Sequence, residues 1–210
     1  MRDVRVCAFG DSFVAGIGDP KALGWVGRVA ARTPPSTGVD LTMYPLGVRR
    51  QTTEEVVLRI PMECAPRFTH GDEHRIVVAT GVSDARMEIE PERSAAALDF
   101  GLAATDAQAL VVGPPPVGDE PLQQRIQVLD DAFATLCQER QVSYISTYRA
   151  LARRKTWHEA RADDGIHPNQ SGYGILAYVL LNEGWYEWLG VEPPKTPVKR
   201  RHTTSSTPQQ

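Results

Sequence analysis

The chain has 210 residues, with 23 Lys and Arg against 26 Asp and Glu, a formal net charge of −3. That length fits one domain whose core needs no disulfide or metal staple, and the charge balance excludes the basic face that a nucleic-acid backbone demands. Three cysteines, Cys7, Cys64 and Cys137, are odd in number and form no CxxC pair. They indicate neither a disulfide framework nor a zinc site and read as small buried hydrophobes.

The first apolar run begins by about residue 4, which leaves no room for a charged-then-apolar leader. No apolar run approaches the ~18 residues of a membrane span. The expectation is a cytoplasmic protein without stable membrane insertion. Along the chain, "VRVCAFG" (4–10) reads as a strand, followed by a helical "LGWVGRVAAR" (23–32) and a second strand, "VDLTMYPLG" (39–47). A helix over "TTEEVVLRIPMEC" (52–64) leads to a third strand, "RIVVATG" (75–81), and a helix "PERSAAALDFGLAAT" (91–105) leads to a fourth, "ALVVG" (109–113). In "PLQQRIQVLDDAFATLCQER" (121–140), Ile126, Leu129, Phe133, Leu136 and Cys137 share one face, the mark of an amphipathic helix. A fifth strand, "VSYIS" (142–146), and a last helix, "SGYGILAYVLLNEGWYEWL" (171–189), complete the series, with Trp185, Tyr186, Trp188 and Leu189 expected to pack onto the sheet.

Short Val/Ile/Leu strands alternating with helices imply a parallel sheet covered on both faces. The predicted fold is a three-layer α/β/α domain of about five strands over residues 1–190, without internal repeats. Residues 191–210, rich in Pro, Ser and Thr and carrying the basic run Lys199–His202, lack apolar periodicity and read as a flexible tail. No signal of oligomeric state is present.

In such a sheet, ligands bind beyond the carboxyl ends of the strands. Ser12 follows the first strand, Gly47 ends the second, and Ser83-Asp84 follow the third. Far along the chain, "ADDGIHPNQSGY" (162–173) places Asp164 three residues before His167, in a loop before the last helix. Ser, His and Asp are the ingredients of an activated hydroxyl: neutral imidazole takes the serine proton while the carboxylate fixes its tautomer. Other motifs point nowhere. "GIGDPKALG" (16–24) lacks the third glycine of a nucleotide cradle, and His70 and His74 in "HGDEH" sit in a polar linker and read as solvated.

Four blocks, "FGDSFVAG", "YPLGVRRQTT", "ATGVSDAR" and "DDGIHPNQSGY", occur in this order over about residues 4–183. Together they resemble the GDSL/SGNH hydrolase family. The resemblance implies a flavodoxin-like α/β/α fold and an esterase or acylhydrolase activity. It implies Ser12 as nucleophile, His167 as base and Asp164 as its orienting partner. The oxyanion hole would comprise the N–H groups of Ser12 and Gly47 and a side chain from the third block. That block departs from the family's GxND: Ser83 stands where the family has an asparagine, and a hydroxyl is a shorter and less oriented donor than a carboxamide. Arg49 and Arg50, just past Gly47, read either as solvated loop residues or as contacts for an anionic group such as phosphate or carboxylate. The expected function is a serine esterase acting on small or medium acyl esters, with no metal or organic cofactor. A flavin would leave Ser12, Asp164 and His167 unexplained. The alternative is a weakened relative that binds an acylated or glycosylated ligand without turning it over.

Overall fold

A computed structural model describes residues 1–194; the Lys199–His202 run and the rest of 195–210 lie outside the described residues. Strand β1 (Arg2–Gly10) alternates its side chains between two cores. Val4, Val6 and Ala8 face one, Cys7 and Phe9 the other, and all are buried. Helix α1 (Gly24–Ala31) leads to β2 (Val39–Gly47), α2 (Thr53–Leu58), α3 (Ile60–Cys64) and β3 (Glu73–Ala79). The chain continues through α4 (Val82–Arg86), α5 (Pro91–Ala103), β4 (Gln108–Val112), α6 (Glu120–Arg140) and β5 (Ser143–Ile145). It ends in α7 (Thr147–Leu151), α8 (Lys155–Glu159), α9 (Gln170–Leu180), a wide π-type turn (Leu181–Trp185) and α10 (Tyr186–Leu189). The sheet is five-stranded in the order β2-β1-β3-β4-β5, and every pair is parallel.

Helices cover both faces, giving the three layers expected. On one face, Trp25, Val26 and Val29 of α1 and Tyr173, Leu176 and Leu180 of α9 pack on Val6, Val77 and Leu110. On the other, Val56, Ile60, Leu98 and Phe133 pack on Phe9, Ile76 and Val111. The aromatic cluster near the C-terminus packs inward: Trp185 Nε1 donates to Thr33 Oγ1 (2.9 Å) and Trp188 Nε1 to the Ala109 carbonyl (3.1 Å).

Two helices are shorter than their apolar patterns suggest. The 52–64 pattern breaks at Arg59, because Pro61 has no N–H for a continuing helix and its ring crowds the preceding turn. A capping box between Thr52 and Glu55 starts the first piece. The 171–189 pattern breaks at Gly184, whose φ of 152° is outside the helical range. His74 belongs to β3 rather than to the linker before it. All three cysteines are buried, and Cys7 and Cys64 belong to the same core, a proximity their spacing did not reveal.

The chain starts one strand in from an edge, adds β2 at that edge and returns to place β3 on the other side of β1, so the connections leaving β1 and β3 run in opposite directions. This is the topological switch point, where a crevice opens beyond the strand ends. Gly10, Gly47 and Ala79 lie level there, paired across the three adjacent strands. A Cβ on Gly10 would sit 2.1 Å from the Ala79 carbonyl oxygen, so only glycine lets β1 turn off the sheet this tightly.

Candidate active site

Ser12 occupies the turn that follows Gly10. The turn closes through Ala15 N–H to the Asp11 carbonyl (3.1 Å) and Ile17 N–H to the Ser12 carbonyl (3.1 Å). Beneath it, the Asp11 carboxyl accepts from the N–H of Phe13 (2.9 Å), and the N–H of Ser83 at the start of α4 is turned toward it. Burial pushes Asp11 up to about 7, against the lowering effect of those N–H groups and with further raising from Asp84. Asp84 itself lies beneath the site: its oxygens accept from Thr53 N–H (2.9 Å) and Ser94 Oγ (2.7 Å), joining α2, α4 and α5.

The loop before α9 supplies the other half. Its ends are fastened by Ala162 N–H to the His167 carbonyl (2.8 Å) and Asn169 N–H to the Ala160 carbonyl (3.0 Å). Gly165, at φ 69°, lets the chain double back between Asp164 and His167. Asp164 Oδ1 then accepts the N–H groups of Ile166 (3.0 Å) and His167 (2.9 Å), while Oδ2 contacts His167 Nδ1 at 2.5 Å. Burial pushes the Asp164 carboxyl up, but the His167 ring and the two N–H groups outweigh it and hold the group at about 2. An ionised carboxylate only accepts, so Nδ1 carries the imidazole proton. In the neutral ring Nε2 then has its lone pair, 2.8 Å from Ser12 Oγ, and is placed to accept the hydroxyl proton. The Asp164–His167–Ser12 chain is therefore continuous, and it can move a proton off the serine.

Two further features hold the halves together. Gly18 (φ 91°) lies under the His167 loop, where a Cβ would meet the Pro168 carbonyl oxygen at 2.7 Å and His167 Cβ at 3.1 Å. Tyr173 of α9 donates its hydroxyl to the Ile17 carbonyl (2.8 Å). The glycines of "GIGDPKALG" thus serve close backbone approach. In the same segment, the fully buried Asp19 carboxylate accepts from the N–H groups of Lys21, Leu23 and Gly24 and pairs with Arg28 at 2.5 Å. The Arg28 hydrogen bond and those backbone N–H groups, working against burial, hold Asp19 at about 2. No motif flagged Asp19 or Arg28; their pairing depends on how the loop folds back on α1.

Ser12, Ser83, Asp164 and His167 line one open cleft of about 480 Å³, with Phe13, Val82, Met87 and Ile166 as its apolar lining. Arg49 and Arg50 line it too, and so does Arg86, which the sequence reading did not single out. Gly47 does not. Its missing Cβ serves packing: one there would lie 2.2 Å from Ala15 N and 2.6 Å from the Asp11 carbonyl oxygen, so the glycine lets β2 touch the Ser12 turn. The cleft is reached instead by the Val48–Gln51 turn beyond it. Arg59 braces that turn, donating to the Leu46 carbonyl (2.9 Å) and to Gln51 Oε1 (2.8 Å). His70 and His74 lie elsewhere; His74 Nε2 pairs with the His70 carbonyl (3.0 Å), and its ring stacks on Phe68.

A family model described as the GDSL-like lipase/acylhydrolase family matches residues 8–175. The chain belongs to that family. No curated protein matches it. Among solved structures, this GDSL-family chain is similar to a lipase/acylhydrolase from Enterococcus faecalis, at 22% identity over 93% of this chain and 100% of that one, with a TM-score of 0.74. A lipolytic GDSL-family protein from Veillonella parvula gives 18% identity over 87% and 98%, with a TM-score of 0.72. An acetylxylan esterase from Geobacillus stearothermophilus gives 16% identity over 89% and 95%, with a TM-score of 0.70. At these identities the neighbours establish the fold. Catalytic mutants of that esterase replace a serine, a histidine and an aspartate.

The Asp19–Arg28 pair makes a testable support for this site. Asp19→Asn leaves a buried, uncompensated guanidinium, and urea denaturation at neutral pH should show a loss of about 3–5 kcal/mol. Because the folded Asp19 sits at about 2 against an ordinary 3.8, its stabilisation is complete above the ordinary value and is lost as pH falls through about 2. The gap between wild type and variant should therefore narrow on acidification across that window.

Proposed function

We propose that this GDSL-family protein is a serine ester hydrolase that cleaves small or medium acyl esters through an acyl-enzyme intermediate. The observation that carries the reading is the unbroken hydrogen-bonded chain from Asp164 through His167 to Ser12 on the wall of an open cleft. In the first step Ser12 Oγ attacks the ester carbonyl carbon and its proton passes to His167 Nε2, giving a tetrahedral oxyanion and an imidazolium paired with ionised Asp164. Collapse breaks the bond to the alkoxy oxygen, which leaves as an alcohol with the Nε2 proton. Water then attacks the acyl-Ser12 carbonyl, giving its proton to Nε2. A second collapse releases the carboxylic acid and returns the proton to Ser12 Oγ.

The oxyanion needs donors already in place. Among the described residues, the N–H groups of Ser12, Arg49 and Arg50 have no acceptor within the chain. The reading assigns the oxyanion to Ser12 N–H and to the Val48–Gln51 turn, in place of Gly47. Ser83 Oγ faces the same cleft without an internal partner and is the third donor. An acetylxylan esterase among the structural neighbours is consistent with short acyl groups. One observation favours a weakened binder instead: nothing in the chain orients the Ser83 hydroxyl, whereas losing a fixed oxyanion donor costs on the order of 100- to 1000-fold in turnover.

A fluorophosphonate probe separates the two readings. Stoichiometric labelling of wild type, lost in Ser12→Ala together with p-nitrophenyl acetate turnover, supports the hydrolase; no labelling and no turnover in wild type sink it. Ser83→Asn should raise kcat by roughly tenfold or more by supplying an oriented amide donor. An unchanged or lower kcat would show that the cleft has no use for a donor there.

A further inference from the structure

We infer that the cleft selects esters bearing an anionic group, a carboxylate or a phosphate, and that Arg49, Arg50 and Arg86 read it. The inference rests on the hydrolase reading above and names its substrate class. β1 lies between β2 and β3 in the sheet, so the loops following those strands flank Ser12 on either side. Arg49 and Arg50 come from the loop after β2, and Arg86 ends α4, which follows β3. All three line the cleft that holds Ser12 and His167. They thus bracket the reacting serine from both sides.

None of the three makes an ion pair or a side-chain hydrogen bond among the described residues, although ion pairs engage many other arginines of the chain, Arg59, Arg67 and Arg93 among them. The two acids nearest in sequence to Arg86 are engaged elsewhere: Asp84 accepts from Thr53 N–H and Ser94 Oγ, and Glu88 faces Arg125 at 3.6 Å. The one carboxylate lining the cleft, Asp164, already has its oxygens filled by His167 and two backbone N–H groups. A chain of net charge −3 therefore carries, beside its serine, three guanidinium groups and a single engaged carboxylate.

Arg50 adds a second observation. Its φ of 67° is left-handed, a conformation that glycine enters freely and that strains a residue with a side chain. The Arg50 side chain is exposed, lines the cleft and has no partner among the described residues. Guanidinium groups present paired N–H donors that match the oxygens of carboxylates and phosphates. Apolar Phe13, Val82 and Met87 leave room for the uncharged part of the ester.

The test compares acetyl esters of three para-substituted phenols, each rate divided by that ester's own hydroxide-catalysed rate: 4-acetoxybenzoate, 4-acetoxyphenyl phosphate and neutral 4-acetoxybenzamide. Wild type should prefer at least one anionic ester over the neutral one in kcat/KM by on the order of tenfold, the sum of several exposed ion pairs each worth a few-fold. The difference should lie mainly in KM, shrink as salt rises, and collapse toward unity in R49Q/R50Q/R86Q. The salt series in wild type needs no variant and gives the same readout independently. The ester with the larger ratio identifies the anion. Equal or better turnover of the neutral ester, or a ratio that survives both salt and the triple replacement, overturns the anion inference while leaving the hydrolase intact. Turnover of none of the three, together with failed fluorophosphonate labelling, overturns both.

Discussion

The hydrogen bond between Ser12 Oγ and His167 Nε2 joins residues 155 apart in sequence, and the surrounding structure is arranged to make it. A serine after the first strand and a histidine before the last long helix have no reason to meet unless each backbone is held to within a few tenths of an ångström. On the serine side this is done by close approach, since Gly10 and Gly47 let three strand ends and the Ser12 turn touch without intervening side chains. On the histidine side, Asp164 accepts both from the backbone of its own loop and from the ring it orients. The Ile17–Gly24 segment bridges them, with Gly18 under the His167 loop and Asp19 locked to Arg28.

Two aspartates in one small region are driven in opposite directions. Asp11, buried beneath the turn and close to Asp84, is raised to about 7; Asp164, part-exposed and facing an imidazole and two N–H groups, is lowered to about 2. Only the second is a dependable acceptor at neutral pH, and it is the one against His167. Asp11 is bound instead into the framework under the site, through the N–H of Phe13. Carboxyls of the same type thus divide into a proton-orienting group and a backbone clasp according to burial and neighbours.

The strands were legible in the sequence because a parallel strand covered on both faces is written as a short unbroken Val/Ile/Leu run, as in Ile76–Val78 and Leu110–Val112. The order of the blocks then placed Ser12, Ser83 and His167 at one end of the sheet. What escaped was set by tertiary contact. Pro61 and Gly184 interrupt helices whose apolar patterns run straight through them. Gly47 makes room for the Ala15 backbone, a contact between loops that no local pattern around residue 47 contains. Arg86 reaches the cleft because β3 is the neighbour of β1, a fact of topology that no local pattern around residue 86 contains. The same holds for Cys7 beside Cys64 and for Asp19 beside Arg28.

The central claim is that the acyl group passes through Ser12, driven by the Asp164–His167 pair. Acid quenching during turnover of p-nitrophenyl acetate, followed by peptide mass spectrometry, tests it most directly. The account predicts an acetyl group on the peptide containing Ser12, placed on that residue by fragmentation and absent from Ser12→Ala. An acetyl group carried at another residue, or steady turnover by Ser12→Ala, would contradict it.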